Sequence, residues 1–229
     1  MKTIGIIGGM SPESTVSYYQ IINRETNARL GGNHSADIVM HSIDFETIVR
    51  LQKAGDWAGA GRILAASARK LESMGADVLV LATNTMHKIA DAIQSAVGIP
   101  LLHVVDATAQ AVKAQGLNTV GLLGTRFTMS DGFYTKRMKQ HGIETLVPAD
   151  TQQHFIHSII FEELCLNRFE PAAKRAYLDI IACLKEQGAQ GVIFGCTEIG
   201  LLLKRQDCPI PVFDSAEIHA LAAVDFALG

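Results

Sequence analysis

The sequence predicts an α/β protein of two pseudo-symmetric halves, each a mostly parallel sheet flanked by helices. Three observations predict it. Short apolar runs alternate with stretches of helical period, the pattern of parallel strands covered on both faces. The segment Gly75-Ala76-Asp77-Val78-Leu79-Val80-Leu81-Ala82-Thr83-Asn84-Thr85 is written to the same template as Gly188-Ala189-Gln190-Gly191-Val192-Ile193-Phe194-Gly195-Cys196-Thr197-Glu198, 113 residues later. Two more landmarks repeat in the same order, Thr3–Gly8 with Thr119–Gly124 at an offset of 116 and Leu102–Ala107 with Ile210–Ser215 at 108. Any α/β chain holds units that look alike, but three ordered landmarks with slowly drifting offsets point to duplication. Each half then has about 110 residues, an ordinary size for a small domain.

The elements follow in order. Thr3–Ile7 reads as a strand and about 12–30 as a helix. Ile38–His41 is the next strand, followed by helices near 44–51 and 56–74. Val78–Leu81 leads into a helix at 86–96, and Leu101–Val105 into one at 106–115. In the second half, strand Thr119–Leu123 precedes a helix at 129–141, and Thr145–Val147 precedes helices at 151–166 and 171–187. Gly191–Phe194, Val212–Phe213 and a helix over 215–228 close the chain.

Composition excludes several classes. The 229 residues are 48 % hydrophobic and 19 % charged, with a formal charge of −3 and no basic stripe, so no nucleic-acid partner is expected. No apolar run is long enough to span a bilayer, and the apolar part of Met1–Gly9 is too short for a signal peptide. Cys165, Cys183, Cys196 and Cys208 form no Cys-x-x-Cys pair, so a soluble, cytoplasmic chain is expected.

Ligands of open α/β sheets bind beyond the carboxyl ends of the strands. Gly8–Ser11, Thr83–Thr85, Gly124–Thr128 and Cys196–Glu198 stand there, and halves facing each other would bring them to one small, polar cleft. Gly8–Thr15 lacks both the G-x-G-x-x-G spacing and a P-loop lysine, so it is either a carboxylate-binding helix start or a tight turn. Cys196, just past a strand and near backbone N–H groups, suits a thiolate acting as base or nucleophile, whereas Cys183 reads as an inert core residue. Thr83 alone would be a strand-end cap with a hydroxyl that is a very poor base, and only its equivalence with Cys196 raises it. His87 either orients a site group or caps a helix. His154 and His157 have the i, i+3 spacing a metal uses, yet lack carboxylates and read as a solvated face; no metal is expected. Asp106 and Asp214 read as matching helix caps, and Glu198 and His219 as supporting partners of the site.

Four motifs together resemble the aspartate/glutamate racemase family: Ile-Gly-Ile-Ile-Gly-Gly-Met-Ser at the start, Thr83-Asn84-Thr85-Met86-His87, Gly124-Thr125-Arg126-Phe127-Thr128-Met129, and Gly195-Cys196-Thr197-Glu198-Ile199-Gly200. The resemblance covers essentially the whole chain and implies a cofactor-independent racemase with one acid/base residue from each of two domains. It also implies that the last strand and helix return to the first domain, giving domains of 1–104 plus 212–229 and 105–211. Family members usually carry a cysteine at both positions. Here the first is Thr83, and Ala82 supplies no thiol, as in the branch specific for L-aspartate and L-glutamate. That branch places Gln52 and the Cys165 region near the substrate.

The expected site therefore has Thr83 and Cys196 as catalytic residues, with Met10, Ser11, Gln52, Asn84, Thr85, Thr125, Thr128, Cys165, Thr197 and Glu198 around the substrate. Removing an α-proton without pyridoxal leaves a poorly stabilised carbanion, whose charge must meet donors already in place. Backbone N–H groups of Gly9–Ser11 and 84–85, and hydroxyls of Thr85, Thr125 and Thr197, are the candidates. Cys196 would abstract the proton and Thr83, with or without a water, return one to the other face. A thiolate is the far better base, so the pair should be kinetically lopsided. The expected partner is an acidic amino acid, with aspartate and glutamate unseparated because one methylene gives only about 1–3 kcal/mol of discrimination. No cofactor and no membrane partner are expected, and apolar helix faces leave room for a homodimer. Two other readings stay open: a cysteine-dependent isomerase or decarboxylase of dicarboxylic acids, and a non-catalytic amino-acid-binding protein.

Overall fold

Val78-Leu79-Val80-Leu81 carries apolar side chains on both faces, so only the middle of a covered sheet suits it. In the computed structural model, which describes residues 1–229, it is strand β3, buried throughout. It pairs in parallel with β1 (Ile4–Gly8), also wholly buried, with Ile4 opposite Val78. The less buried β2 (Ile38–Ser42) and β4 (Leu101–Leu102) take the edges, in the order β2-β1-β3-β4. A second sheet is built from β5 (Thr119–Gly124), β6 (Glu144–Leu146), β7 (Gly191–Gly195) and β8 (Val212–Asp214), in the order β6-β5-β7-β8. Each strand of one sheet has its counterpart in the other, so the duplication reaches the topology.

Two compact units result, residues 1–103 with 219–229, and residues 104–218. In the first, α1 (Pro12–Leu30), α2 (Phe45–Ala54), α3 (Trp57–Ser73), a 3₁₀ turn at Thr85–Ile89 and α4 (Ala90–Gln94) connect the strands. Leu64, Leu71, Leu79, Leu81 and Ile93 are among its wholly buried residues. In the second, α5 (Val104–Ala114), α6 (Arg126–Ser130), α7 (Phe133–Gln140), α8 (Asp150–Glu162), α9 (Pro171–Glu186) and α10 (Ile199–Leu202) surround a core that includes Leu122, Tyr177, Val192, Phe194 and Phe213. Each such side chain stabilises its unit by about 1.5–3 kcal/mol. The last helix is α11 (Ser215–Leu228), and no helix is long and apolar enough to cross a membrane.

The repeated Gly-Ala turn has a physical reason. Gly75 and Gly188 end α3 and α9 with φ of 91° and 106°, a conformation that costs a glycine little. In both, the glycine N–H bonds back to Glu72 or Lys185, and the alanine N–H to Leu71 or Leu184. These are Schellman turns that stop a helix and aim the chain into the central strand.

Three expectations change. The strand at 212–214 does not return to the first unit: it pairs with β7, with Phe213 opposite Ile193 and buried in the second core. The division falls inside α11, and residues from His219 group with the first unit, where Arg29 pairs with Asp225 at 2.6 Å. The apolar run Leu101–Val105 stops being a strand after Leu102, because Val104 and Val105 start α5 and bury themselves there. The helix expected at 129–141 is broken by Gly132, left-handed at φ 74°, into α6 and α7.

Candidate active site

In the first unit β1 and β3 end side by side, which places Gly8–Ser11 next to Thr83–Thr85. Ser14 Oγ ties the two by donating to the Ala82 carbonyl at 3.2 Å. Ser11 caps α1, accepting the Ser14 N–H at 3.3 Å, and Pro12 opens the helix. Met10 and Ser11 are buried. The Gly9 N–H donates to Thr15 Oγ1 at 2.7 Å, so this amide, expected to face a substrate carboxylate, is spent on holding the turn.

Gly9 itself is demanded by a close approach. At φ 91° a Cβ there would lie 2.1 Å from the Ile43 carbonyl oxygen. Gly9→Ala is expected to cost about 3 kcal/mol of folding stability, from the strained φ and the backbone overlap together. Urea unfolding checks it, and a midpoint equal to wild type would show that the loop gives way freely.

Thr83 is half-buried, just beyond β3. Ala82 still ladders to Ile7 at 2.9 Å, but the Thr83 N–H turns back on Leu81 at 2.8 Å. The Thr83 carbonyl lies 2.8 Å from His87 Nδ1, so His87 orients this loop. Asn84 and Thr85 are buried, and Asn84 opens the 3₁₀ turn without a side-chain cap. Gln52, in the last turn of α2, donates to Met86 Sδ at 3.0 Å, which fixes it beside the same loop.

In the second unit Gly124 and Gly195 are register partners at the ends of β5 and β7. Thr125 caps α6 through the Thr128 N–H at 3.3 Å, and their two hydroxyls lie 3.2 Å apart, both buried. Cys196 follows β7 and is buried, its sulfur 2.9 Å from Glu198 Oε2. Thr197 Oγ1 donates to the same oxygen at 2.6 Å, so its hydroxyl serves Glu198. Cys165, in the 3₁₀ turn Leu164–Leu166, holds its sulfur 3.9 Å from Glu198 Oε1. The chain brings these side chains together by bending back at once, the Ile199 N–H bonding to the Cys196 carbonyl at 3.2 Å.

The electrostatics differ from expectation. Burial first, then the negative charge of Glu198 and the Cys165 sulfur, push the Cys196 thiol well above its ordinary value. The resting sulfur is a protonated thiol beside a proton acceptor, because the Glu198 N–H that bonds it lowers its pKa less than burial and the neighbouring charges raise it.

Other candidates go elsewhere. Asp106 is not a cap: it lies within α5 and pairs with Arg137 at 2.6 Å and His141 at 2.8 Å. Asp214 is a cap, accepting the Ala216 and Glu217 N–H groups, and its burial raises its pKa to about 6. His157 is not a solvated residue. It accepts the Arg126 N–H at 3.3 Å, packs against Phe161, and its pKa is lowered by burial first and then by Arg126. Cys183 is exposed on α9, not part of the core. His219, expected as a supporting partner of the site, lies in the first unit, where it bonds Tyr18 and the Leu102 carbonyl and packs against His87. Tyr18 and His103, which pack with His219 and His87, carried no signal in the sequence because no local spacing links them. No three His, Cys, Asp or Glu side chains gather closely enough to hold a metal ion.

Two copies of one four-stranded parallel sheet, one followed by a buried thiol hydrogen-bonded to a carboxylate, define a duplicated α/β protein. Known proteins narrow the class. The Asp/Glu/Hydantoin racemase family matches residues 7–223. A crystal structure from Yersinia pestis, proposed to be an Asp/Glu racemase, is 52 % identical with a TM-score of 0.94 over 100 % of both chains. An aspartate racemase homologue from Pyrococcus horikoshii OT3 is 36 % identical, with a TM-score of 0.88 over 100 % of both chains. The broad specificity amino-acid racemase RacX of Bacillus subtilis strain 168 is 26 % identical over 225 residues, 96 % of each chain. The chain belongs to the Asp/Glu/Hydantoin racemase family, and it is an enzyme of the isomerase class.

Proposed function

We propose that this enzyme racemises acidic amino acids, aspartate and also glutamate, without a cofactor, by proton transfer involving Cys196 and Thr83 on opposite faces of the α-carbon. One observation carries the proposal. Cys196 ends a central strand with its sulfur 2.9 Å from the buried Glu198 carboxylate, while Thr83 ends the equivalent strand of a sheet with the same order. The acidic substrate is taken from relatives such as the aspartate racemase homologue of Pyrococcus horikoshii OT3. Four free thiols support a cytoplasmic setting.

The chemistry runs in five proton movements. Substrate binding passes the Cys196 proton to Glu198. The thiolate takes the α-proton, and the electron pair left on carbon spreads into the α-carboxylate. Donors near that carboxylate, drawn from Met10, Ser11, Asn84, Thr85, Thr125 and Thr128, hold the charge as it develops. The Thr83 hydroxyl protonates the opposite face and takes a proton back from water, and Glu198 gives the proton it received from Cys196 to the hydroxide left behind, which returns every group to its starting state. Gln52 and Cys165 complete the substrate's surroundings.

Glu198 then has two separable roles, and Glu198→Gln is expected to split them. Loss of the negative charge lowers the thiol's pKa, so alkylation of Cys196 by iodoacetamide moves to lower pH. Loss of the proton acceptor slows racemisation by roughly 10²-fold. An unchanged alkylation profile would show that Glu198 does not govern the thiol. The proposal as a whole is tested by deuterium wash-in at the α-carbon from heavy water, with both enantiomers of aspartate and glutamate. No exchange into any of the four ends it.

A further inference from the structure

Thr83 must aim one hydroxyl although the strand that carries it has already ended. Its own N–H turns back to Leu81, which leaves its carbonyl outside the sheet ladder. His87, in the following 3₁₀ turn, fills that gap with Nδ1 at 2.8 Å. A carbonyl oxygen only accepts, so Nδ1 carries the hydrogen. His87 is buried, and two more imidazoles pack edge-on against it, His103 with ring centres 4.6 Å away and His219 at 5.6 Å.

The neighbours are themselves fixed. His219 Nε2 lies 2.9 Å from the Leu102 carbonyl and must donate, so its Nδ1 accepts the Tyr18 hydroxyl at 3.0 Å. Both nitrogens are satisfied by a neutral ring, and burial first, then the proximity of His87, lowers the pKa of His219 to about 3. A ring so held is a rigid wall. It stops the His87 imidazole from turning away from Thr83.

We propose that His87 is a positioning residue for the Thr83 half of the reaction, holding the Thr83 main chain and thereby its hydroxyl, with His103, His219 and Tyr18 locking the imidazole in place. This rests on the proposed racemase reading. A misplacement of about an ångström at a reacting group costs on the order of 10²-fold. The role belongs to the transition state, so kcat carries the loss and KM stays close to wild type.

The test is a double-mutant cycle on α-proton exchange and racemisation of aspartate. His87→Ala is expected to lower kcat roughly 10- to 100-fold. His87→Asn, whose amide N–H can take the place of Nδ1, is expected to recover most of that rate. In a Thr83→Ala background, where Cys196 exchanges one face alone, His87→Ala is expected to remove nothing further. Equal losses in both backgrounds, or an asparagine variant as slow as the alanine one, overturn the assignment. Should the alanine variant fail to fold, His87→Asn against His87→Leu in both backgrounds gives the same comparison. Wild-type enzyme that exchanges no acidic amino acid removes the racemase reading and this inference with it, whereas active wild type with an indifferent His87→Ala removes only the inference.

Discussion

Replacing Cys196 by alanine is expected to slow α-proton exchange of aspartate by at least about 10³-fold, with both enantiomers as substrate. The loss is chemical, not structural. Cys196 is small, so its truncation leaves little void, and the Thr197 hydroxyl still donates to Glu198 at 2.6 Å. The Glu198 carboxylate therefore stays hydrogen-bonded, and the penalty of an orphaned buried charge does not arise. Serine at the same position sharpens the test. It keeps the volume and a donor to Glu198, yet its hydroxyl gives up a proton far less readily than a thiol. Cys196→Ser is expected to be nearly as slow as Cys196→Ala, with an unfolding midpoint close to wild type. Deuterium wash-in followed by proton NMR measures the first point, and urea denaturation the second. Exchange at the wild-type rate in Cys196→Ala would remove the residue from the reaction.

Much of the fold was legible because short-range physics writes it. Val78–Leu81 could only be a buried parallel strand, and Gly75 and Gly188 could only serve a turn that needs a left-handed residue. The repeat made the two sheets predictable as a pair. What was misread depended on choices made at a distance. Val104 and Val105 look like strand residues, yet the core of the second unit claims them for a helix. Val212–Asp214 looks free to join either sheet, and its register with β7 decides the matter. Helix 129–141 had the right period, but the Thr125 cap and the left-handed Gly132 divide it.

The site was legible by position more than by chemistry. Strand ends single out Thr83 and Cys196 as candidates, since topology puts polar residues after β3 and β7. The state of the thiol was not readable. It depends on burial and on Glu198 folding back beside Cys196, two residues on, in a turn that sequence spacing alone does not distinguish from an extended run. His87 and His219 are legible one by one as site partners, but their grouping with Tyr18 and His103 is not, for a stronger reason. Its members come from four separate elements, and only the folded chain brings them within contact.

Thr83 is where the duplication stops being symmetric, and changing it is expected to have the second large effect. Racemisation has an equilibrium constant of one, so kcat/KM must be equal for the two enantiomers whatever residues the site contains. Asymmetry can appear only in kcat and KM separately and in the individual proton transfers. Thr83→Ala leaves no proton carrier on its face. Racemisation is expected to fall roughly 10²- to 10³-fold, while Cys196 still exchanges the α-proton of the enantiomer it attacks, with retention. Thr83→Cys moves the other way. The position is half-buried, unlike that of Cys196, so burial, the largest cause of the raised Cys196 pKa, acts less on a thiol there. It is expected to raise kcat for the enantiomer attacked from its side by about tenfold or more. The two values of kcat/KM would rise together, as the equilibrium requires. Initial rates by polarimetry with each enantiomer of aspartate, run beside the wash-in measurement, read all three quantities. A Thr83→Ala enzyme that racemises at the wild-type rate would mean that the opposite-face proton comes from some other group. A Thr83→Cys enzyme slower than wild type in both directions would mean that a hydroxyl is required there for its geometry and not merely tolerated for its weak acidity.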